Sequence, residues 1–152
     1  MTHHAGALTE ADLDVVDGVP VTSVARTVLD MARLVGFEGG VVTADAALHS
    51  GLTTPDELRE RHVAMSACPR ARVASRVIRF ADRLAETPGE SRTRVLFHVH
   101  GLPRPRLQVD LIANGRRYRV DMLVDEPATV VEFDGRLKYR MGESQNPREL
   151  EA

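Results

Sequence analysis

Up to about residue 86, apolar residues recur at helical spacing, and past Pro88 the pattern shortens towards the alternation of strands. Ser23 can cap a helix over about 24–35, with Val24, Val28, Met31 and Val35 on one stripe and Gly36 as its stop. A second helix is expected over about 38–49, carrying Val41, Val42, Ala46 and Leu48 and ending at Gly51. Thr54-Pro55-Asp56-Glu57 combines an N-cap, a proline at the first helical position and a glutamate three residues after the cap. That is a capping box, and it opens a short helix to about His62. Ala67-Cys68-Pro69 interrupts the pattern. A longer helix is expected from about Arg70 to Ala85, burying Val73, Val77, Phe80 and Leu84.

Thr87-Pro88-Gly89 punctuates the chain, a helix is expected over about 89–100, and Gly101-Leu102-Pro103-Arg104-Pro105 stops it. Leu107 to Ile112 reads as a strand, and Asn114-Gly115 is a strong two-residue hairpin signal. Tyr118 to Val124 returns as a second strand, Asp125-Glu126-Pro127 turns the chain, and Thr129 to Phe133 forms a third. The expected class is therefore α+β: a helical region over 1–87, a helix and three strands over 88–140, and an irregular tail over 141–152.

Composition narrows the picture modestly. The 152 residues are 43% hydrophobic and 28% charged, with a formal net charge of -2, as expected of a globular chain that buries a core. No apolar run reaches membrane-spanning length. The first residues, Met1-Thr2-His3-His4, lack the basic start and apolar stretch of a signal peptide, so the expected compartment is the cytoplasm, with no membrane partner. A single cysteine, Cys68, excludes an internal disulfide and a thiolate zinc cluster. The near-neutral total hides a basic stretch: Arg70, Arg72, Arg76, Arg79 and Arg83 stand against one acid, Asp82.

The chemistry concentrates in four carboxylates. Glu90 opens the helix after Pro88, Asp121 interrupts an apolar strand, and Glu132 and Asp134 sit two apart at the end of the third strand, on one face. Charges written into Val-rich strands are costly unless something binds them. Adjacent strands would bring Asp121 close to Glu132. Two carboxylates with water and a phosphate suffice to hold Mg²⁺ or Mn²⁺, which lowers the pKa of bound water and screens charge on the phosphate. Asp121 and Glu132 would be the metal ligands, with Glu90 a third. Gln108 could orient water or phosphate, and Lys138 or Tyr139 could stabilise developing charge. Taken singly, each carboxylate reads more readily as structural than as a ligand, an acid at a strand end being usually solvated, and Asp134-Gly135 reads as a turn; the argument rests on the joint pattern.

Pro88-Gly89-Glu90-Ser91-Arg92, Gly101-Leu102-Pro103, Gln108, Val120-Asp121 and Val131-Glu132-Phe133-Asp134-Gly135-Arg136-Leu137-Lys138-Tyr139 together resemble a PD-(D/E)XK nuclease domain. More narrowly, they resemble the domains of unknown function related to very-short-patch-repair endonucleases. The helical stretch from Asp17 is similar to the segment that precedes this domain in actinobacterial proteins linked with AbiEi-type antitoxins. The resemblance implies a partial restriction-endonuclease-like αβββ core over 88–140. It implies Asp121, Glu132, Asp134 and Lys138 as catalytic positions, and Glu90, Asp121 and Glu132 as ligands of Mg²⁺ or Mn²⁺. DNA is the implied substrate, with a cognate toxin and a homodimer as further partners. Asp134 stands where the superfamily carries a lysine, so a non-catalytic antitoxin or transcriptional regulator is the alternative. Relative to that pattern the chain is expected to be truncated at both ends. A winged-helix reader would precede it, and a helix and strand would follow Tyr139. An inactive fragment with an open sheet edge, poorly soluble or dimeric, is the third expectation.

Arg72, Arg76, Arg79 and Arg83, spaced four, three and four, would form one stripe on the long helix. Such a stripe could meet phosphates regardless of base identity, or simply be the solvated face opposite the core. His98 and His100 straddle Val99 and cannot form an i, i+4 metal pair; His49, His62 and Cys68 are expected to be inert.

Overall fold

The computed structural model describes residues 8–133. Asp134, Lys138, Tyr139 and the tail expected over 141–152 lie outside them. The class is α+β: among the described residues a short hairpin precedes four helices, and a three-stranded sheet follows them. Two compact units divide within one helix, residues 1–95 and residues 96–152.

The first unit opens with a hairpin that the hydrophobic pattern does not announce. β1 (Leu13–Val16) and β2 (Val19–Thr22) pair antiparallel across Asp17-Gly18, both at positive φ (52° and 79°). Aspartate then glycine is a favoured pair for such a turn. Both strands lie largely exposed, so no apolar alternation marks them. Ser23 then caps α1 (Val24–His49), its hydroxyl accepting from the Arg26 N–H.

The stop expected at Gly36 is a sharp bend inside α1, where φ 90° and ψ -166° are open only to glycine. The two halves of α1 close on each other at Gly40, where an added Cβ would sit 2.8 Å from Ala32 Cα and 2.8 Å from Val77 Cγ2. This bend shifts the buried stripe. Val28, Leu29, Ala32, Val41, Ala44 and Leu48 form the core, whereas Val35 is half exposed and Ala46 is exposed.

α2 (Pro55–Ala64) carries the expected capping box, with Glu57 N–H donating to Thr54 Oγ1 and Thr54 N–H to Glu57 Oε2. α3 (Ala71–Phe80) buries Ala74 and Val77 against α1. It ends five residues before the expected Ala85 because its last groups are claimed from outside. Arg94 Nη2 donates to the Phe80 carbonyl at 2.7 Å, and the Asp82 N–H donates to Asp45 Oδ1 at 2.8 Å. Leu84, expected in the core, is consequently exposed.

α4 (Pro88–Val99) follows, and its residues up to Val95 belong to the first unit. In the second unit β3 (Arg106–Ala113), β4 (Arg116–Val124) and β5 (Thr129–Val131) form one antiparallel sheet in the order β3-β4-β5. Asn114 and Gly115 turn the first hairpin at φ 51° and 71°, as the sequence predicts. Leu107, Val120, Met122 and Val124 are buried.

The bend and close approach in α1 should be the least replaceable backbone features of the first unit. Gly36→Ala and Gly40→Val are each expected to cost about 1–3 kcal/mol, through strain at the first and overpacking at the second. Urea unfolding followed by circular dichroism measures both; wild-type midpoints would contradict the assignment.

Candidate metal and nucleic-acid site

The register of the second-unit sheet positions the candidate residues. Leu107 pairs with Met122 and Val109 with Val120, so Gln108 stands opposite Asp121. Met122 pairs with Val131, and one further step sets Asp121 opposite Glu132. Carried through the unpaired Gln108 and one step past the end of β5, the register would set Gln108, Asp121 and Glu132 in one row, although neither Gln108–Asp121 nor Asp121–Glu132 is itself a ladder pair. Directly opposed residues of an antiparallel pair share a face. Val120, Met122 and Val124 are buried, so Asp121 belongs to the other face, where it is only half-buried. Its Oδ2 accepts from the Phe133 N–H at 3.0 Å, which ties the end of β5 to β4. Gln108 itself has φ 51°, a left-handed residue inside a strand and a local distortion beside the acid.

Glu90 does a different job. Its Oε1 accepts from the Thr87 hydroxyl at 2.8 Å and its Oε2 from the Glu86 N–H at 3.0 Å, while its own N–H donates to Thr87 Oγ1. This is a reciprocal cap at the start of α4, and the side chain is 3% exposed. To ligate a metal it would have to release bonds that hold the helix start. Among the described residues no group of three or more histidines, cysteines, aspartates or glutamates is placed to hold a metal ion. Asp134 and Lys138 are outside the described residues.

The arginine stripe is shorter than expected. Arg72, Arg76 and Arg79 are exposed on α3, but Arg83 lies past its end because the helix stops at Phe80. Arg76 places its guanidinium 4.8 Å from the Phe37 ring centre, and Arg79 donates to Ser75 Oγ. His49 Nδ1 lies 3.1 Å from the Arg83 carbonyl.

Sequence reasoning missed a buried ionic cluster in the first unit. Asp45 is fully buried on α1 and accepts from Ser91 Oγ at 2.8 Å, Arg94 Nη1 at 2.6 Å and the Asp82 N–H. Arg94 also stacks 4.7 Å from the Phe80 ring centre. Burial pushes the Asp45 carboxyl above the usual range; Arg94, the Asp82 N–H and Ser91 oppose that shift without cancelling it. The signal was present in the sequence as an aspartate at the core-facing spacing of Val41, Ala44 and Leu48. A second such acid, Asp12, is 3% exposed and meets Arg26 at 3.2 Å and Arg61 at 3.1 Å. There burial raises the pKa, but hydrogen bonds from Thr9 and the charge and hydrogen bond of Arg26 outweigh it and hold the carboxyl below the usual range. Both acids accept hydrogen bonds that fasten secondary structure.

Comparison with known proteins adds relatives rather than an activity. Over 141 residues, 91% of this chain, the sequence is 32% identical to two proteins of Mycobacterium tuberculosis. They are Rv2248 of strain H37Rv and MT2308 of strain CDC 1551, each described only as uncharacterized. The chain spans about half the length of these curated relatives. No family model and no solved structure matches it.

Two outcomes follow from the buried acids. Asp45→Ala leaves the buried Arg94 with only the Phe80 carbonyl and a longer, 3.9 Å approach to Asp82, and should cost about 3 kcal/mol in urea unfolding, against about 1 kcal/mol for Ser91→Ala. A smaller loss for Asp45→Ala than for Ser91→Ala would contradict this. For Asp12 the folded pKa is depressed, so its contribution is fully present above the unfolded value of about 3.9 and is lost as pH falls through the folded one. Asp12→Asn should therefore be less stable at neutral pH and lose less further stability on acidification than wild type. Parallel acid limbs would rule out that role.

Proposed function

We propose that the second unit is a DNA-associated module of restriction-endonuclease type, acting by metal-dependent phosphodiester hydrolysis. What supports this reading is the sheet register, which, carried through Gln108 and one step past β5, would align Gln108, Asp121 and Glu132 on the face opposite the buried valines and Met122. Two carboxylates on neighbouring segments supply the minimum protein ligand set for Mg²⁺ or Mn²⁺, the remainder being water and phosphate oxygens. The bound ion would acidify a water for attack and offset charge on the phosphate. Asp121 and Glu132 would hold the ion, Gln108 would orient the water, and Asp134 and Lys138 remain candidates by their place in the motif. The element order from Pro88, a helix followed by three antiparallel strands, suits this reading.

A second reading is favoured by Glu90, whose two oxygens are both engaged in capping α4, and by the aspartate at the lysine position. In it the same module is a non-catalytic DNA-associated regulator, of the kind an antitoxin partnered with a toxin would use.

Cleavage of supercoiled DNA with Mg²⁺ or Mn²⁺ separates the two. The nuclease reading expects strand breaks abolished by chelator and reduced on the order of a hundredfold or more by Asp121→Asn or Glu132→Gln. Breaks that persist in both variants would overturn the site. DNA binding without cleavage, indifferent to chelator, would transfer the assignment to the regulator.

A further inference from the structure

Beyond the reach of β5 the sheet narrows to a two-stranded ribbon. β5 pairs only with Met122, Leu123 and Val124, whereas β3 and β4 continue together through five more pairs, from Val109–Val120 to Ala113–Arg116. At about 3.4 Å per residue these pairs project roughly 17 Å. Over residues 109–120 the ribbon carries three arginines, Arg116, Arg117 and Arg119, against one acid, Asp110, in a chain whose total charge is negative. Register places Arg117 and Arg119 on one face and Arg116 on the other. Asp110 pairs with Arg117, and that hydrogen bond and charge hold the Asp110 carboxyl below its usual range, so the ribbon keeps a net excess of two positive charges.

Charged residues on a sheet edge ordinarily keep it from pairing with another chain. That explanation leaves one residue unaccounted for. Ile112, directly opposite Arg117, is 83% exposed, more than any other large apolar side chain among the described residues. A protected edge would carry a polar group there. Tyr118, on the other face, is also half exposed. Cations on both faces beside a bare apolar side chain suit a groove with phosphates along both walls and bases at its floor. A two-stranded ribbon fits the major groove of a duplex, where an apolar side chain can meet the thymine methyl groups.

We infer that the β3–β4 ribbon is a duplex-DNA arm, in which Arg116, Arg117 and Arg119 meet the phosphates and Ile112 contacts the bases. The inference rests on the DNA-associated reading for the identity of the polymer, but not on the metal site or on cleavage.

Anisotropy of a labelled, mixed-sequence DNA duplex, titrated with the full chain in chelator, tests it. Replacing Arg116, Arg117 and Arg119 together by Gln should weaken binding at least about tenfold in moderate salt. It should also shallow the salt dependence by about 0.9 for each arginine that meets a phosphate. Ile112→Thr, which keeps a β-branched strand residue, should weaken duplex binding while leaving heparin binding unchanged. If the triple variant loses its circular dichroism, Arg116→Gln alone at the turn is read in the same way. Because the titration is run in chelator, a failure of the metal site stays distinct from a failure of the arm. Wild-type affinity and salt slope in the arginine variants would overturn the proposal, as would heparin or a single strand bound as tightly as the duplex.

Discussion

The antiparallel register of β3, β4 and β5 is the constraint on which the functional reading depends. Side chains alternate across a sheet, so a slip of one residue would turn Asp121 to the apolar face and expel Val120, Met122 and Val124 from it. Three devices oppose the slip. Asn114-Gly115 turns the first hairpin with the two positive φ angles that a two-residue loop demands. The buried valines and Met122 fix which face is apolar. The Phe133 N–H on Asp121 Oδ2 then anchors the third segment to the second. The same register produces the ribbon, because β5 is short and leaves the far half of the hairpin with one partner per strand.

The first unit is held differently, by a bend and a buried charge. Gly36 allows α1 to fold back, and Gly40 allows its two halves and Val77 to approach more closely than a side chain would permit. Asp45 then gathers groups distant in sequence, the Asp82 N–H, Ser91 and Arg94, onto one carboxylate. A buried ion pair of this kind adds little net stability relative to an apolar replacement. Its effect here is to fix which helix ends where, since the same cluster terminates α3 at Phe80 and holds the first half of α4.

Local chemistry was legible in the sequence where it acts over a few residues. The capping box at Thr54, the cap at Ser23, the turn at Asn114-Gly115 and the strands on either side of it all depend on near neighbours. What escaped were features decided at a distance. α3 was read through Ala85 because nothing local stops it; its end is set by Arg94 and Asp45, between 14 and 37 residues away. In α1 the expected Val28, Val41 and Leu48 are buried, whereas Val35, beside the bend at Gly36, and Ala46 are exposed and Leu29, Ala32 and Ala44 fill the core with them. The Asp17-Gly18 hairpin was locally signalled, but its exposed valines follow no alternation. Of the candidate site, the opposition of Asp121 and Glu132 could be argued from strand order, whereas the engagement of Glu90 as a cap could have been read from Thr87 three residues before it.

The claim that Asp121 and Glu132 jointly face a cation can be examined without any substrate. Paramagnetic broadening of backbone amide resonances on adding Mn²⁺ reports which residues lie near the bound ion. The account predicts selective loss of signal at Gln108, Asp121, Glu132 and Phe133, abolished by Asp121→Asn. Broadening centred elsewhere, or unchanged in that variant, would contradict it.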